Sequence, residues 1–254
     1  MTVVQWARGA NWRATLQHSC PHHALVWITR GQGIAVIEGV RRGVGVHNAL
    51  AIPAGTMFSL DLGKSGFGLV CEVPSGGAVP MPDSPQHLRI RDVARQNELT
   101  SIFEAMQREQ NSQRTFMDEA LNAEANLVSV WLRRAMIDHP ETERATAGER
   151  LVRAYAALIE RDFQNGRSMA VYARALGVTP THLTRVCKQV SGLTAADMLT
   201  ERSLHAARAL LEANELPVGQ IAAYFSRFIL HHTGQSPSAL RSKPAARGPM
   251  ARAV

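Results

Sequence analysis

The chain has 254 residues, 45% of them hydrophobic and 19% charged, with 28 Lys and Arg against 21 Asp and Glu for a formal net charge of +7. That length leaves room for two domains with separate cores, and no apolar run is long enough to span a bilayer. The opening MTVVQWARGANWRATLQHSC lacks the apolar segment of a signal peptide, and Cys20, Cys71 and Cys187 are odd in number and scattered, which disfavours a disulfide or zinc framework; the chain reads as cytoplasmic.

Residues 1–83 are short apolar runs (ALVWIT, IAVIEG, NALAIP, MFSLDL, FGLVCEV) separated by Gly-rich or Pro-containing turns (RGQG, RRGVG, PAGT, GKSG). This is the pattern of a small all-β barrel or sandwich. From Asp83 the character changes to helix. Leu99, Ile102, Phe103 and Met106 form one stripe, and Leu127, Val128, Trp131, Leu132, Ala135 and Met136 form another. Residues 84–147 therefore read as a helical linker whose second stripe either mediates dimerisation or packs on the β domain. The polar segment HPETERATAG (139–148) marks the boundary.

The DNA-binding part is placed at 148–241. Leu151 to Phe163 forms its first helix. Ser168 then serves as N-cap for a helix whose buried face is Met169, Tyr172, Ala173 and Leu176, and Gly177 ends it. Thr179 and Pro180 restart the chain as N-cap and first helical residue, and Leu183, Val186, Cys187 and Val190 give a second apolar stripe before Gly192. Thr181, Thr184, Arg185 and Lys188 share the same i, i+3, i+4, i+7 spacing but lie about 200° around the helix. One face packs while the other offers hydroxyls and cations, the equipment of a helix that reads base edges and holds flanking phosphates. Charge agrees: residues 1–163 carry 17 basic and 17 acidic side chains, residues 164–254 carry 11 and 4, so the whole excess lies in the helix-turn-helix half.

A second copy of the motif follows at 218–241 with a segment missing. Tyr172-Ala173 corresponds to Ile221-Ala222, and His182 to Gly192 corresponds to Tyr224 to Gly234, but Ala175 to Thr181 has no counterpart between Ala223 and Tyr224. Val218, Ile221, Ala222, Phe225, Phe228 and Ile229 keep helical phase across the junction, which predicts one continuous helix over 217–233. Residues 242–254 (SKPAARGPMARAV follows Arg241) read as a disordered tail.

The segments ALGVTPTHLTRVCKQVSG (175–192), TAADMLTERSLHAARALL (194–211) and YFSRFILHHTGQSPSALR (224–241) resemble the AraC/XylS-type bacterial transcriptional regulators. Relative to that family's second unit, roughly seven or eight residues are absent. The resemblance implies an α+β multidomain protein with an N-terminal cupin-like β-barrel, a helical linker region and a C-terminal all-α helix-turn-helix domain. It implies promoter DNA as partner, with Thr181, His182, Thr184, Arg185 and Lys188 of the first unit and Ser226 and Arg227 of the second at the DNA. It further implies a small-molecule effector, for which Trp27, Phe58 and Leu60 are candidate pocket walls or plain core, together with a homodimer and contact with RNA polymerase. Enzymatic cupins hold a metal with histidines and a carboxylate. His18, His22 and His23 suggest such a site, but the resemblance places Ala24 and Phe58 where further ligands belong, so neither metal, cofactor nor enzymatic activity is expected. The alternative within the family is a chain whose damaged second unit has cost it specific DNA binding, leaving dimerisation or no activity.

Overall fold

The chain opens with an arm of two one-turn helices, α1 (Val3–Trp6) and α2 (Trp12–Thr15). The first is set by a capping box: Thr2 Oγ1 accepts from the Gln5 amide at 3.1 Å while Gln5 Oε1 accepts from the Thr2 amide at 2.8 Å. Seven strands follow, β1 (His23–Arg30), β2 (Gln32–Ile37), β3 (Val40–Gly45), β4 (Asn48–Ile52), β5 (Phe58–Asp61), β6 (Phe67–Val73) and β7 (Gln86–Arg89). This computed structural model describes residues 1–112, 114–138 and 145–213. The expected helix over 217–233, Ser226, Arg227, the tail 242–254 and part of the boundary segment lie outside the described residues.

The strands form two antiparallel sheets, ordered β6-β1-β4-β7 and β3-β2-β5. Of the barrel and sandwich open to this pattern, the described residues form two facing sheets. The strand β7 also lies beyond Asp83, where the sequence turned helical; its four residues pair with β4, Leu88 opposite Ala49. Between the sheets lies one core: Ala24, Val26 and Ile28 meet Ala35, Ile37, Val44, Leu50, Ile52, Phe58, Leu60 and Val70. Alternation then sends Leu25 and Trp27 to the opposite face of β1.

That opposite face is covered by α3 (Val93–Ser112) and α4 (Met117–Asp138). Leu99, Ile102 and Phe103 from α3 and Val128, Trp131, Leu132 and Ala135 from α4 pack on Leu25, Trp27, Ala49, Ala51 and Leu88. Both tryptophans carry their polar handle to a partner, Trp27 Nε1 to Thr100 Oγ1 at 3.2 Å and Trp131 Nε1 to the Arg95 carbonyl at 3.1 Å. Of the two uses open to the α4 stripe, packing on the sheet takes Val128 to Ala135. Leu127 is a correction: it is 51% exposed, one step off the buried face. No helix among the described residues is long and apolar enough to cross a membrane.

The remaining helices are α5 (Ala147–Asp162), α6 (Met169–Ala175), α7 (Pro180–Ser191) and α8 (Ala195–Ala213), with a 3₁₀ turn at Phe163–Asn165. Their core joins Val152, Tyr155, Ala156 and Ile159 to Tyr172, Ala173, Leu183, Val186, Cys187, Ala195 and Met198, and it includes Met57 from the β half. Helix α5 begins four residues earlier than its apolar pattern, because a capping box between Thr146 and Glu149 starts it.

The β half docks on these helices at two places. The turn between β2 and β3 is one: Gly39 has φ +74°, and a Cβ there would fall 2.8 Å from Met198 Cε and closer still to Val152 Cγ1. Glu38 adds an ion pair to Arg153 at 3.7 Å. The arm is the other, lying along α8 through the ring pair of His18 and His205 and the Arg13–Glu212 ion pair. Beside them Arg202 makes a bidentate pair with Glu160, Nε to Oε2 at 2.7 Å and Nη2 to Oε1 at 2.8 Å, and Ser19 donates to the same carboxylate at 2.6 Å. Burial alone would raise the Glu160 pKa, but the hydrogen bonds and charge of Arg202, together with the Ser19 hydrogen bond, outweigh it and hold the carboxyl below its ordinary value.

Candidate nucleic-acid interface

Local sequence signals set the geometry of α6 and α7. Ser168 has the extended backbone of an N-cap, although its side chain makes no capping bond. Gly177 adopts φ +69°, which a residue without Cβ accepts at no steric cost, and turns the chain out of α6. Thr179 Oγ1 then accepts from the His182 amide at 3.2 Å, Pro180 occupies the first turn, and Gly192 closes α7 at φ +82°. The helix that follows has its own capping box: the Asp197 amide donates to Thr194 Oγ1 at 3.0 Å and the Thr194 amide to Asp197 Oδ2 at 3.1 Å.

Leu183, Val186 and Cys187 are buried, and Thr181, Arg185 and Lys188 are exposed, with Thr184 half-buried on the same outer side. The expected polar stripe therefore exists as an accessible surface on a helix fixed by its opposite face. Arg185 Nη2 donates to His182 Nδ1 at 3.3 Å, which holds the guanidinium over the first turn of α7. Lys188 Nζ donates to the Gly192 carbonyl at 2.8 Å, satisfying one orphan acceptor at the helix end. His182 also borders a groove of about 440 Å³ between α5 and α7, lined by Thr146, Leu151, Val186, Gln189 and Val190 among others.

Of the candidate pocket walls, Phe58 and Leu60 lie between the sheets and Trp27 lies under α3, so the three do not line one cavity. The reason is the β1 alternation, which an unbroken apolar run such as ALVWIT conceals. A cleft of about 180 Å³ does open where the arm meets the sheet ends, lined by Val3, Ala7, Ala14, Leu60, Leu62 and Phe67 among others. Only Leu60 of the three reaches it.

The histidines also separate. His18 is buried, its Nδ1 donating to the Leu16 carbonyl at 2.8 Å, with its ring 4.2 Å from Phe58 and 4.5 Å from His205. His23 accepts from the Ala54 amide at 3.4 Å through Nδ1. Among the described residues no group of three His, Cys, Asp or Glu side chains has the placement of a metal site. Burial pushes the Cys20 and Cys187 thiols up to about 12 and Cys71 to about 11, far from the thiolate character of a reactive cysteine.

Sequence reasoning missed the docking residues Arg13, Ser19, Glu160, Arg202, His205 and Glu212. Arg202, in the middle of α8 and mostly buried, had one readable signal: it falls on the same helical face as Ala195 and Met198.

A protein-family model described as a helix-turn-helix domain matches residues 172–243. No curated protein matches the sequence. Among solved structures, the chain is similar to an apo ToxT variant from Vibrio cholerae at 12% identity, covering 89% of this chain and 90% of that one, with TM-score 0.41. It is similar to the C-terminal domain of AraT, a response regulator from Geobacillus stearothermophilus, at 26% identity over 41% of this chain and 92% of that one, TM-score 0.35. The AraC-like transcriptional activator CuxR aligns at 12% identity over 77% and 68% of the two chains, TM-score 0.35. At such TM-scores the likenesses are loose. The chain thus carries a helix-turn-helix domain, with one unit formed by α6 and α7.

Proposed function

We propose that the protein is a sequence-specific DNA-binding transcriptional regulator of AraC type, acting in the cytoplasm. The observation that carries this is the exposed stripe of Thr181, Thr184, Arg185 and Lys188 on a capped helix whose other face is core. Short hydroxyls, an arginine fork and a lysine at that spacing suit insertion into a major groove, with base edges read near the N-terminal half and phosphate met at the end. The helix-turn-helix match and the charge excess of residues 164–254 support the same reading.

The β half serves as a cupin-like sensor in this reading. The cleft beside Leu60, Leu62 and Phe67 supports a small apolar effector at the arm rather than at Trp27. The exposed side of α4, with Leu127 and Ile137, is available for a homodimer, and RNA polymerase is the partner through which a bound regulator would act.

A gel-shift series on duplexes from the chain's own upstream region tests the proposal. Retention of one duplex at concentrations that leave random DNA free supports it. Equal affinity for all duplexes removes the sequence-specific part, and no retention at low salt removes the proposal altogether.

A further inference from the structure

We propose that the DNA-contacting surface continues past the helix-turn-helix onto the β half, with Arg41 of β3 binding a backbone phosphate beside the C-terminal end of α7. The inference rests on the DNA-binding reading and assigns it a further residue.

Three observations carry it. First, β3 is an edge strand, and Arg41 stands exposed on it between the buried Val40 and the half-buried Arg42. Second, the Arg41 side chain reaches α7: its Cδ lies 3.7 Å from where a Cβ on Gly192 would sit. Lys188, the last cation of the polar stripe, donates to the Gly192 carbonyl at that same helix end. Two cations from different halves of the chain therefore converge at one end of the candidate reading helix, and Arg41 makes no ion pair within 4.0 Å among the described residues. Third, the convergence is held in place. The Gly39 turn, two residues before Arg41, is inserted between Val152 and Met198, and Glu38 pairs with Arg153.

Two cations directed to one helix end favour something negative beside them. The carbonyl end of α7 supplies part of that charge. A phosphate supplies more: duplex DNA carries one every ~1.7 Å along its axis, so a helix lying in the groove has phosphates flanking its end. Guanidinium suits this role because it offers several donors and is always protonated.

The full chain is tested on a duplex of random sequence, since a phosphate contact needs no particular bases. The logarithm of affinity is followed against the logarithm of salt concentration for wild type, Arg41→Ala, Arg41→Lys and Lys188→Ala, with thermal unfolding measured alongside. Removing one phosphate contact should flatten the slope by about 0.9. The expected result is that flattening in Arg41→Ala, near-wild-type slope in Arg41→Lys, and an unchanged unfolding midpoint in both. An unchanged slope in Arg41→Ala while Lys188→Ala flattens would overturn the inference and leave the DNA-binding reading standing. A lowered midpoint with an unchanged slope would likewise overturn it and assign Arg41 to holding the helix end. Wild-type protein that binds no duplex at low salt would overturn both.

Discussion

The imidazoles of His18 and His205 lie parallel, 4.5 Å apart and 10° between planes, one on the N-terminal arm and one on α8. Trp12 meets the edge of the His205 ring at 5.1 Å, and His205 Nε2 donates to the Arg13 carbonyl at 3.2 Å. The contact between the arm and α8 thus includes two bases that burial favours neutral, set among Arg13, Arg202, Glu160, Glu201 and Glu212.

Acid should therefore weaken the protein. Burial, with Arg13 and Arg202 nearby, lowers His18 to about 4; burial, then His18 and Arg202, lowers His205 to about 3. The unfolded chain takes up these protons near pH 6.5 and the folded one does not, so stability is full above that pH and falls as pH drops from about 6.5 toward 4 and below. Glu201 opposes this: burial raises it to about 7, so its contribution is lost as pH rises from about 4.5 through 7. Two histidines outweigh one carboxyl below pH 6. Thermal midpoints between pH 7 and 4 should fall for wild type and fall less steeply for His205→Gln; parallel curves would show that the pair does not govern acid sensitivity.

Arg185 and Lys188 should differ in kind. Arg185→Ala is expected to cost about 1–3 kcal/mol on a specific site and to relax preference at one base position, while Lys188→Ala weakens all sequences alike. Competition binding with single-base variants of the site separates these. Equal losses on specific and random DNA for Arg185→Ala would assign it to phosphate.

Gly39→Ala should destabilise the full chain by about 1–3 kcal/mol, because the new methyl must displace Val152 and Met198 at a backbone angle that disfavours a side chain. Gly43→Ala, where a Cβ meets nothing within 4 Å, is the matched control. Urea denaturation of both variants measures the difference.

The segment that residues 218–241 lack relative to the first helix-turn-helix should confine recognition to the one groove met by α7. If the second unit, when complete, supplies one or two good base contacts, their loss costs roughly 1–6 kcal/mol. Reinserting a turn patterned on Ala175 to Thr181 should add a second protected groove in footprinting. Two protected grooves in the chain as it stands would show that the second unit is intact without that turn.

How much of this was legible depended on whether a feature is local. The α6–α7 unit was readable almost to the residue because its boundaries are made by Thr179, Pro180, Gly177 and Gly192 themselves. The Thr2–Gln5 capping box was equally local and passed unread, since a helix of four residues leaves no apolar period. The face that Trp27 takes was illegible for a different reason: β1 is covered on both sides, so alternation vanishes from its composition. The docking of the two halves was out of reach, because nothing near His18 in sequence reveals that residue 205 will complete its surroundings.

That docking also gives the protein an optical readout of its own assembly. Its four tryptophans are Trp6, Trp12, Trp27 and Trp131, so the helices from α5 onward contain none. Trp27 and Trp131 are sealed beneath the sheet, and Trp6 stacks on Phe58 at 5.6 Å within the β half. Trp12 alone faces α8, between His205 and the guanidinium of Arg208 at 5.4 Å. A change in indole emission that disappears in Trp12→Phe would therefore report the separation of arm and α8 without any attached dye.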